Sequence, residues 1–89
     1  MENKECILIT GASSGMGREM AIQFSSVFRV ILNGRDVERL EETRQLCTNP
    51  EEQLLWPCDL SDVGEIETVF ANFLGESNLR VNYFVHCAG

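Results

Sequence analysis

Near the amino terminus the sequence reads CILITGASSGMG over residues 6–17. Its first residues, Cys6 to Ile9, are apolar without polar alternation, which is typical of a strand buried on both faces of a parallel sheet. Glycines follow at Gly11, Gly15 and Gly17. Apolar residues then recur at helical spacing: Met16, Met20, Phe24 and Val27 or Phe28. The stretch predicts a strand, a glycine-rich turn and an amphipathic helix.

Three further runs predict strands, and the first of them is predicted to be buried. They are residues 30–32 (VIL), 54–56 (LLW) and 81–85 (VNYFV). Helical segments separate them, so the chain reads β-α-β-α-β-α-β, the pattern of an α/β fold with a parallel sheet. Parallel crossovers are right-handed, and the fourth strand of a dinucleotide-binding fold lies on the other side of the first. We therefore predict a Rossmann-like sheet in the order 3-2-1-4.

Two more helices are predicted between these strands. Residues 33–36 (NGRD) break the second strand, and Asp36 is predicted to cap the helix that follows. That helix is predicted to end at residues 49–50 (NP), and its apolar face consists of Val37, Leu40 and Cys47. The third helix begins at residues 61–65 (SDVGE), which resemble a capping box, and stops near Gly75.

Length and charge exclude several classes of protein. The chain has 89 residues, enough for one small domain and too few for a two-domain enzyme. Fourteen acidic residues against seven basic ones give a formal net charge of -7. This charge repels phosphate backbones and anionic lipids, so we expect neither nucleic acid nor membrane as a partner. The polar first residues and the short apolar run after them resemble neither a signal peptide nor a membrane span.

The four cysteines do not have the spacing of a metal site. They are Cys6, Cys47, Cys58 and Cys87. No C-x-x-C pair occurs, and His86 is the single histidine, so no metal site is predicted. Reduced thiols and the absence of a recognisable leader predict a cytoplasmic protein.

The glycine turn, defined here as residues 10–17 (TGASSGMG), has the features of a phosphate site. One glycine permits the tight turn, another lets backbone N–H groups approach a pyrophosphate, and the last lets helix and strand pack closely. The helix that follows begins with a partial positive charge. These glycines would serve equally well in a turn that binds nothing, but strand, turn and helix all agree with the phosphate interpretation.

This spacing resembles the short-chain dehydrogenase/reductase family. Three further landmarks match that family in order along the chain. Arg35 follows the second strand, and residues 58–60 (CDL) follow the third, where the family has an Asp-hydrophobic pair. Residues 86–89 (HCAG) stand where the family has Asn-Asn-Ala-Gly. The resemblance extends over the whole chain.

The resemblance implies a set of cofactor contacts. The backbone of the glycine turn would hold the pyrophosphate, with Ser13 as a hydrogen-bonding partner; its residues are Gly11, Ser13, Ser14, Gly15, Met16 and Gly17. Asp59 would accept from the adenine amino group, the Leu60 N–H would face the same ring, and Ala88 and Gly89 would lie under the adenosine ribose. Two purely structural roles stay open as alternatives to cofactor binding: Ser13 as a helix cap and Asp59 as the start of a turn.

The residues after the second strand favour NADP(H) over NAD(H). An acid about 20 residues past the glycines signals NAD, and Asp36 is a candidate by distance. The position where NAD-preferring relatives carry their acid is Gly34, however, and Arg35 follows it with a guanidinium that can pair with a 2′-phosphate. Ser14 stands where some NADP-preferring relatives have a second basic residue, which counts against NADP. Two nearby bases are expected to be solvated surface residues: Arg18 and Arg39.

No catalytic residue is assigned. The family uses a Tyr as general acid/base, a Lys four residues later and a Ser. The single tyrosine, Tyr83, precedes Cys87 by four positions and is predicted to be a core or sheet residue. We expect residues 1–89 to form a single, partial NAD(P)-binding Rossmann domain that lacks the later strands of the family fold. It would be the N-terminal part of an NADP-dependent carbonyl or alcohol oxidoreductase, inactive alone, whose small-molecule substrate binds only to the full-length enzyme.

Two other functions fit parts of the sequence. The chain would also serve as a non-catalytic NADP(H)-binding module, or as a half that pairs with another chain, and the apolar fourth strand predicts self-association through its open edge. His86 is interpreted as a packed or hydrogen-bonded core residue, and Cys87 as a small buried hydrophobic residue. A more distant alternative is a serine hydrolase, because residues 11–15 fit G-x-S-x-G and Ser13, Asp59 and His86 follow the order Ser-Asp-His. That fold needs an oxyanion loop from earlier strands.

Overall fold

The protein forms a four-stranded parallel sheet with helices in the crossovers. The computed structural model describes residues 5–13, 15–57, 71 and 81–87. Its strands are β1 (Cys6–Thr10), β2 (Arg29–Gly34), β3 (Leu54–Pro57) and β4 (Tyr83–His86). They lie in the order β3-β2-β1-β4 and all pair in parallel. The predicted Rossmann-like α/β architecture and strand order are confirmed.

Two helices cover one face of this sheet. They are α1 (Gly15–Phe24) and α2 (Val37–Leu46). Alternate strand residues point toward them and form the core with small and apolar helix residues: Ile7, Ile9, Val30, Leu32, Ala12, Ala21, Leu40 and Cys47. All five residues of β1 are buried, as the unbroken apolar run predicts. Because β1 is central, its carboxyl end lies beside the ends of both β2 and β4.

The buried face of α1 differs from the predicted apolar stripe. Met16 and Val27 are 73% and 62% exposed, whereas Gly17 and Ala21 face the sheet. Small residues occupy this face because the first turn of α1 lies against backbone, as described below. On α2, Val37 is likewise exposed. The polar residue Thr43 is buried between Leu40 and Cys47 instead.

Several element boundaries also differ from the sequence prediction. β2 continues through Asn33 and Gly34, because Asn33 is buried and its side-chain amide donates to the Trp56 carbonyl at 2.9 Å. β4 begins at Tyr83 rather than Val81, since the Asn82 side chain, not a main-chain carbonyl, accepts the Cys6 N–H at 3.0 Å.

The second helix has the predicted cap. The Asp36 carboxylate accepts the Arg39 N–H at 3.2 Å. The helix ends at Leu46, before a 3-10 turn at Pro50–Glu52 that follows Asn49 in the left-handed region. Of the predicted third helix only Ala71 is described, and it is helical; residues 61–65 and Gly75 lie outside the described residues. Within the described part of the chain, no helix combines the length and apolarity needed to cross a membrane.

A buried glutamine at the amino edge of the sheet generates a test of the fold. The Gln53 side chain accepts the Val30 N–H at 2.7 Å and donates to the carbonyls of Thr48 and Asn49. Gln53→Leu would leave the buried Val30 N–H without a partner, which costs about 1–3 kcal/mol. We expect the free energy of unfolding in urea to fall by that amount. Gln45→Leu, at an exposed glutamine, is the control; an equal loss there would contradict this role for Gln53.

Candidate functional site

The glycine turn joins the end of β1 to the start of α1 through close backbone contacts. Gly11 and Gly15 have φ angles of +65° and +60°, in the left-handed region that favours glycine. A Cβ atom at Gly11 would overlap the carbonyl oxygen of Cys87, and one at Gly17 would overlap the carbonyl oxygen of Gly11. The turn, the first turn of α1 and the end of β4 therefore meet without intervening side chains.

Ala12 anchors the glycine turn to its neighbours on two sides. The Ala12 N–H donates to the Asn33 carbonyl of β2 at 2.9 Å. The Ala12 carbonyl accepts the hydroxyl proton of Thr43, on α2, also at 2.9 Å. Thr43 is fully buried and was missed by sequence reasoning. Its position, three residues after Leu40 and four before Cys47, places it on the inner face of α2, and that spacing is the signal that would have identified it.

Arg18 connects α1 to α2, so the prediction that it is a solvated surface residue is wrong. Its Nε donates to the Thr43 hydroxyl oxygen at 2.8 Å. Its Nη2 donates to the Arg39 carbonyl at 3.2 Å and lies 3.3 Å from a carboxylate oxygen of Glu42. The rigid fork of a guanidinium matches three acceptors that a flexible ammonium would satisfy less well. The Arg39 side chain, in contrast, is exposed as predicted.

The ends of β1 and β4 are joined by side-chain hydrogen bonds. The Cys87 N–H donates to the Thr10 hydroxyl at 3.0 Å, and that hydroxyl lies 2.7 Å from His86 Nδ1. His86 is thus hydrogen-bonded as predicted, but it is exposed rather than part of the core. Cys87 is half-buried, with its sulfur 3.8 Å from that of Met20. The strand order reverses at this junction, where open α/β sheets bind ligands.

Tyr83 lies far from this junction, at the amino end of β4. It is a sheet residue as predicted, but it is half-exposed rather than part of the core. Its ring packs edge-on against Phe28, and its hydroxyl donates to Glu5. Its position at the amino end separates this phenol from the candidate site.

Arg35 follows β2 at the same carboxyl edge as the glycine turn. A Cβ atom on Gly34 would lie 3.5 Å from the Cβ of Ser13, so the end of β2 is adjacent to the turn. Arg35 is exposed, and within the described residues it makes no ion pair. Asp36, by contrast, is engaged as the helix cap and lies 3.8 Å from the Arg39 guanidinium. An exposed guanidinium without an ion pair among the described residues therefore lies beside a turn with phosphate-site geometry.

Several predicted site residues lie outside the described residues. They are Ser14, Asp59, Leu60, Ala88 and Gly89. Their assignments stay predictions. The hydrolase triad likewise stays a prediction, because it needs Asp59. Its histidine, His86, forms a hydrogen bond through Nδ1 with the Thr10 hydroxyl.

The cysteines of the described residues are not paired in disulfides, as the sequence predicts. Cys6, Cys47 and Cys87 are free thiols. Burial raises the pKa of the Cys6 and Cys47 thiols, so both stay protonated near neutral pH. Across residues 5–13, 15–57 and 81–87, no three His, Cys, Asp or Glu side chains are grouped closely enough to hold a metal ion.

The glycine turn, the strand order and the landmarks at the carboxyl edge all match one protein family. A family model described as short chain dehydrogenase matches residues 5–89. The chain belongs to the short-chain dehydrogenase family. This match confirms the family resemblance found in the sequence. Proteins of this family are oxidoreductases that bind NAD(P).

Similar proteins occur in human, Chromohalobacter salexigens and Caenorhabditis elegans. The human "Dehydrogenase/reductase SDR family member 7" is 35% identical over 89 residues, covering 93% of this chain and 26% of that protein. Sulfoacetaldehyde reductase of Chromohalobacter salexigens is 31% identical, covering 96% of this chain and 34% of that protein. Glucose dehydrogenase of Caenorhabditis elegans, known from a crystal structure, is 32% identical with a TM-score of 0.75. The similarity covers 96% of this chain and 38% of that protein. The chain thus spans between 26% and 38% of the length of these relatives.

The contact between Gly17 and Gly11 generates a test of the site geometry. In Gly17→Ala the new methyl group overlaps the Gly11 carbonyl oxygen, so α1 must move away from β1. Overpacking of this kind costs about 1–3 kcal/mol, and we expect thermal unfolding to shift to lower temperature accordingly. Gln23→Ala, at an exposed position of the same helix, is the control. Equal melting temperatures for the two variants would contradict the close contact.

Proposed function

We propose that this chain is the N-terminal, dinucleotide-binding part of an NAD(P)-dependent carbonyl or alcohol oxidoreductase, with residues 1–89 forming a single, partial Rossmann domain. The geometry of the glycine turn carries this proposal. Its two left-handed glycines and its backbone contacts with α1 and β4 occur at the reversal of strand order. Dinucleotides bind at such a place in open α/β sheets.

Local backbone dipoles would hold the anionic cofactor. The first N–H groups of α1 have no acceptor within the helix, and the helix dipole adds partial positive charge there. The chain as a whole carries a formal net charge of -7, which opposes an anion. The attraction must therefore be short-ranged and come from the turn and from Arg35.

The bound cofactor would supply hydride transfer, and this chain would supply its binding and orientation. The family's Tyr-x-x-x-Lys pair does not occur within the 89 residues, where Tyr83 is the single tyrosine and Cys87 stands four positions later. We therefore propose that these residues alone bind cofactor without turnover. The small carbonyl or alcohol substrate belongs to the full-length enzyme.

The surroundings of Arg35 support a preference for NADP(H), with NAD(H) as the alternative. A carboxylate at position 34 would select NAD, but the residue there is glycine, and a Cβ atom on it would lie 3.0 Å from a buried Leu40 methyl. The Asp36 carboxylate is occupied by the helix it caps. Arg35, exposed beside the turn, is left to pair with a 2′-phosphate.

Replacement of Arg35 tests the cofactor preference. We expect NADPH to bind more tightly than NADH by about tenfold or more, since a hydrogen-bonded charged pair contributes about 1.5–3 kcal/mol. Arg35→Asp should reverse the order, because a carboxylate repels the 2′-phosphate and accepts from a ribose hydroxyl. Fluorescence titration with both cofactors measures the two affinities.

Arg44→Asp is the matched control for that titration. It makes the same change of charge near the carboxyl end of α2, where the Arg44 side chain pairs with Glu41 and not with a residue of the turn. The control should keep the preference of the unmodified chain. Equal affinities of the unmodified chain for NADPH and NADH would refute the assignment of Arg35.

We also propose that the chain self-associates as a homo-oligomer through β4, or pairs there with another chain. β4 is the outer strand of the described sheet, and Tyr83 and Phe84 are half-exposed on it. An unpaired strand edge with apolar side chains favours pairing with a second strand. Buried thiols with raised pKa values are compatible with the predicted cytoplasmic location.

A further inference from the structure

A chain of hydrogen bonds links the two helices to the glycine turn. Arg18 Nε donates to Thr43 Oγ1 at 2.8 Å, and the Thr43 hydroxyl donates to the Ala12 carbonyl at 2.9 Å. Thr43 and Ala12 are fully buried, and the Arg18 side chain is only 28% exposed. We call Ala12, Arg18 and Thr43 the turn latch.

The Thr43 hydroxyl has one proton and two carbonyl oxygens within reach. The Ala12 oxygen lies at 2.9 Å, and the Arg39 oxygen, one helical turn back, at 3.2 Å. A threonine inside a helix often donates to the carbonyl four residues earlier, which here would leave Ala12 without its partner. Arg18 changes this competition, because its Nη2 donates to the Arg39 carbonyl while its Nε donates to the hydroxyl oxygen. The hydroxyl proton is thereby directed to Ala12.

The bond at the Ala12 carbonyl fixes the orientation of the next N–H group. In a planar trans peptide the C=O and N–H point in opposite directions, so holding the Ala12 carbonyl against α2 turns the Ser13 N–H away from α2. The Ala12 N–H is held in turn by Asn33. Among the described residues, none accepts the Ser13 N–H, which leaves this donor to a ligand of the turn.

We propose that Arg18 and Thr43 are positioning residues of the phosphate site, which hold the Ser13 N–H ready for the pyrophosphate of the cofactor. This inference rests on the proposed dinucleotide function. A donor fixed before binding strengthens the complex because no ordering of the turn is needed when the ligand arrives. Thr43 and Arg18 would therefore affect pyrophosphate binding although neither would touch the cofactor.

A pair of substitutions at Thr43 separates the hydroxyl from the shape of the side chain. Thr43→Val keeps the shape and removes the hydroxyl, whereas Thr43→Ser keeps the hydroxyl. Two ligands are titrated calorimetrically into the full chain: NADPH, and adenosine 2′-monophosphate, which has the 2′-phosphate but no pyrophosphate. For Thr43→Val we expect NADPH affinity to fall about tenfold, the size of one lost hydrogen bond. Affinity for adenosine 2′-monophosphate should stay unchanged, and Thr43→Ser should restore NADPH binding.

Arg18→Met tests the second member of the latch. It should weaken NADPH binding selectively, as Thr43→Val does. The matched control is Arg44→Met, because Arg44 is 29% exposed and forms a similar fork with Glu41 away from the turn. Ser25→Ala controls for Thr43→Val by removing a buried hydroxyl at the amino edge of the sheet. Neither control should change the affinity for NADPH.

Amide hydrogen exchange without ligand supplies a readout that does not depend on cofactor. In Thr43→Val the protection of the Ala12 N–H should fall about tenfold, because the residue loses one of its two anchors. The Val30 N–H, held by Gln53 at the amino edge, should keep its protection and shows that the variant remains folded. In Thr43→Ser both amides should behave as in the unmodified chain.

The outcomes distinguish failure of the latch from failure of the proposed function. Equal weakening of both ligands in Thr43→Val, no rescue by Thr43→Ser, or unchanged protection of Ala12 would each overturn the latch. If the unmodified chain binds neither NADPH nor NADH, the proposed function is wrong. The role of the latch in phosphate binding then fails with it, and Ala12 exchange reports only that the latch orders the turn.

Discussion

The structure depends on the close approach of α1 to the end of β1. Gly17 lies against the Gly11 carbonyl, and Gly11 lies against the Cys87 carbonyl, with no room for a Cβ atom at either glycine. This backbone contact decides which residues of α1 face the sheet, and so why Ala21 is buried while Met16 is exposed. It also brings the first N–H groups of the helix to the place where strand order reverses, which is where an anion can use them.

Buried polar groups hold this contact in place from the side. Asn33 accepts the Ala12 N–H with its carbonyl and donates to the Trp56 carbonyl with its side chain, so the glycine turn is tied through β2 to β3. Thr43 and Arg18 tie it to the helices. Within the described residues, every buried side-chain nitrogen or oxygen has a hydrogen-bond partner. Because a buried polar group without a partner is costly, such a network favours one geometry of the turn over its alternatives.

Much of the fold was predictable from the sequence. The predictions that were wrong failed for physical reasons. Runs rich in apolar residues predicted the four strands. The handedness of crossovers, together with the pattern of dinucleotide-binding folds, predicted their order. The Asp36 cap followed from local chemistry. The apolar faces at Met16, Val27 and Val37 were wrong, because spacing shows that a helix is amphipathic but not how closely its backbone approaches the sheet. Arg18 was expected in solvent because charge predicts exposure, whereas its guanidinium found three acceptors on a neighbouring helix.

The sequence by itself determined the order of elements along the chain, the position of the glycine turn and the presence of an arginine directly after β2, since these depend on residue type and near neighbours in the chain. Only the tertiary structure decided that Thr43, 31 residues from Ala12, donates to its carbonyl, and that Thr10 and His86, 76 residues apart, form a hydrogen bond. Such contacts depend on the exact placement of one element against another. A hydrogen bond exists only within a few tenths of an ångström and a narrow range of angles, which no periodicity in the sequence can specify.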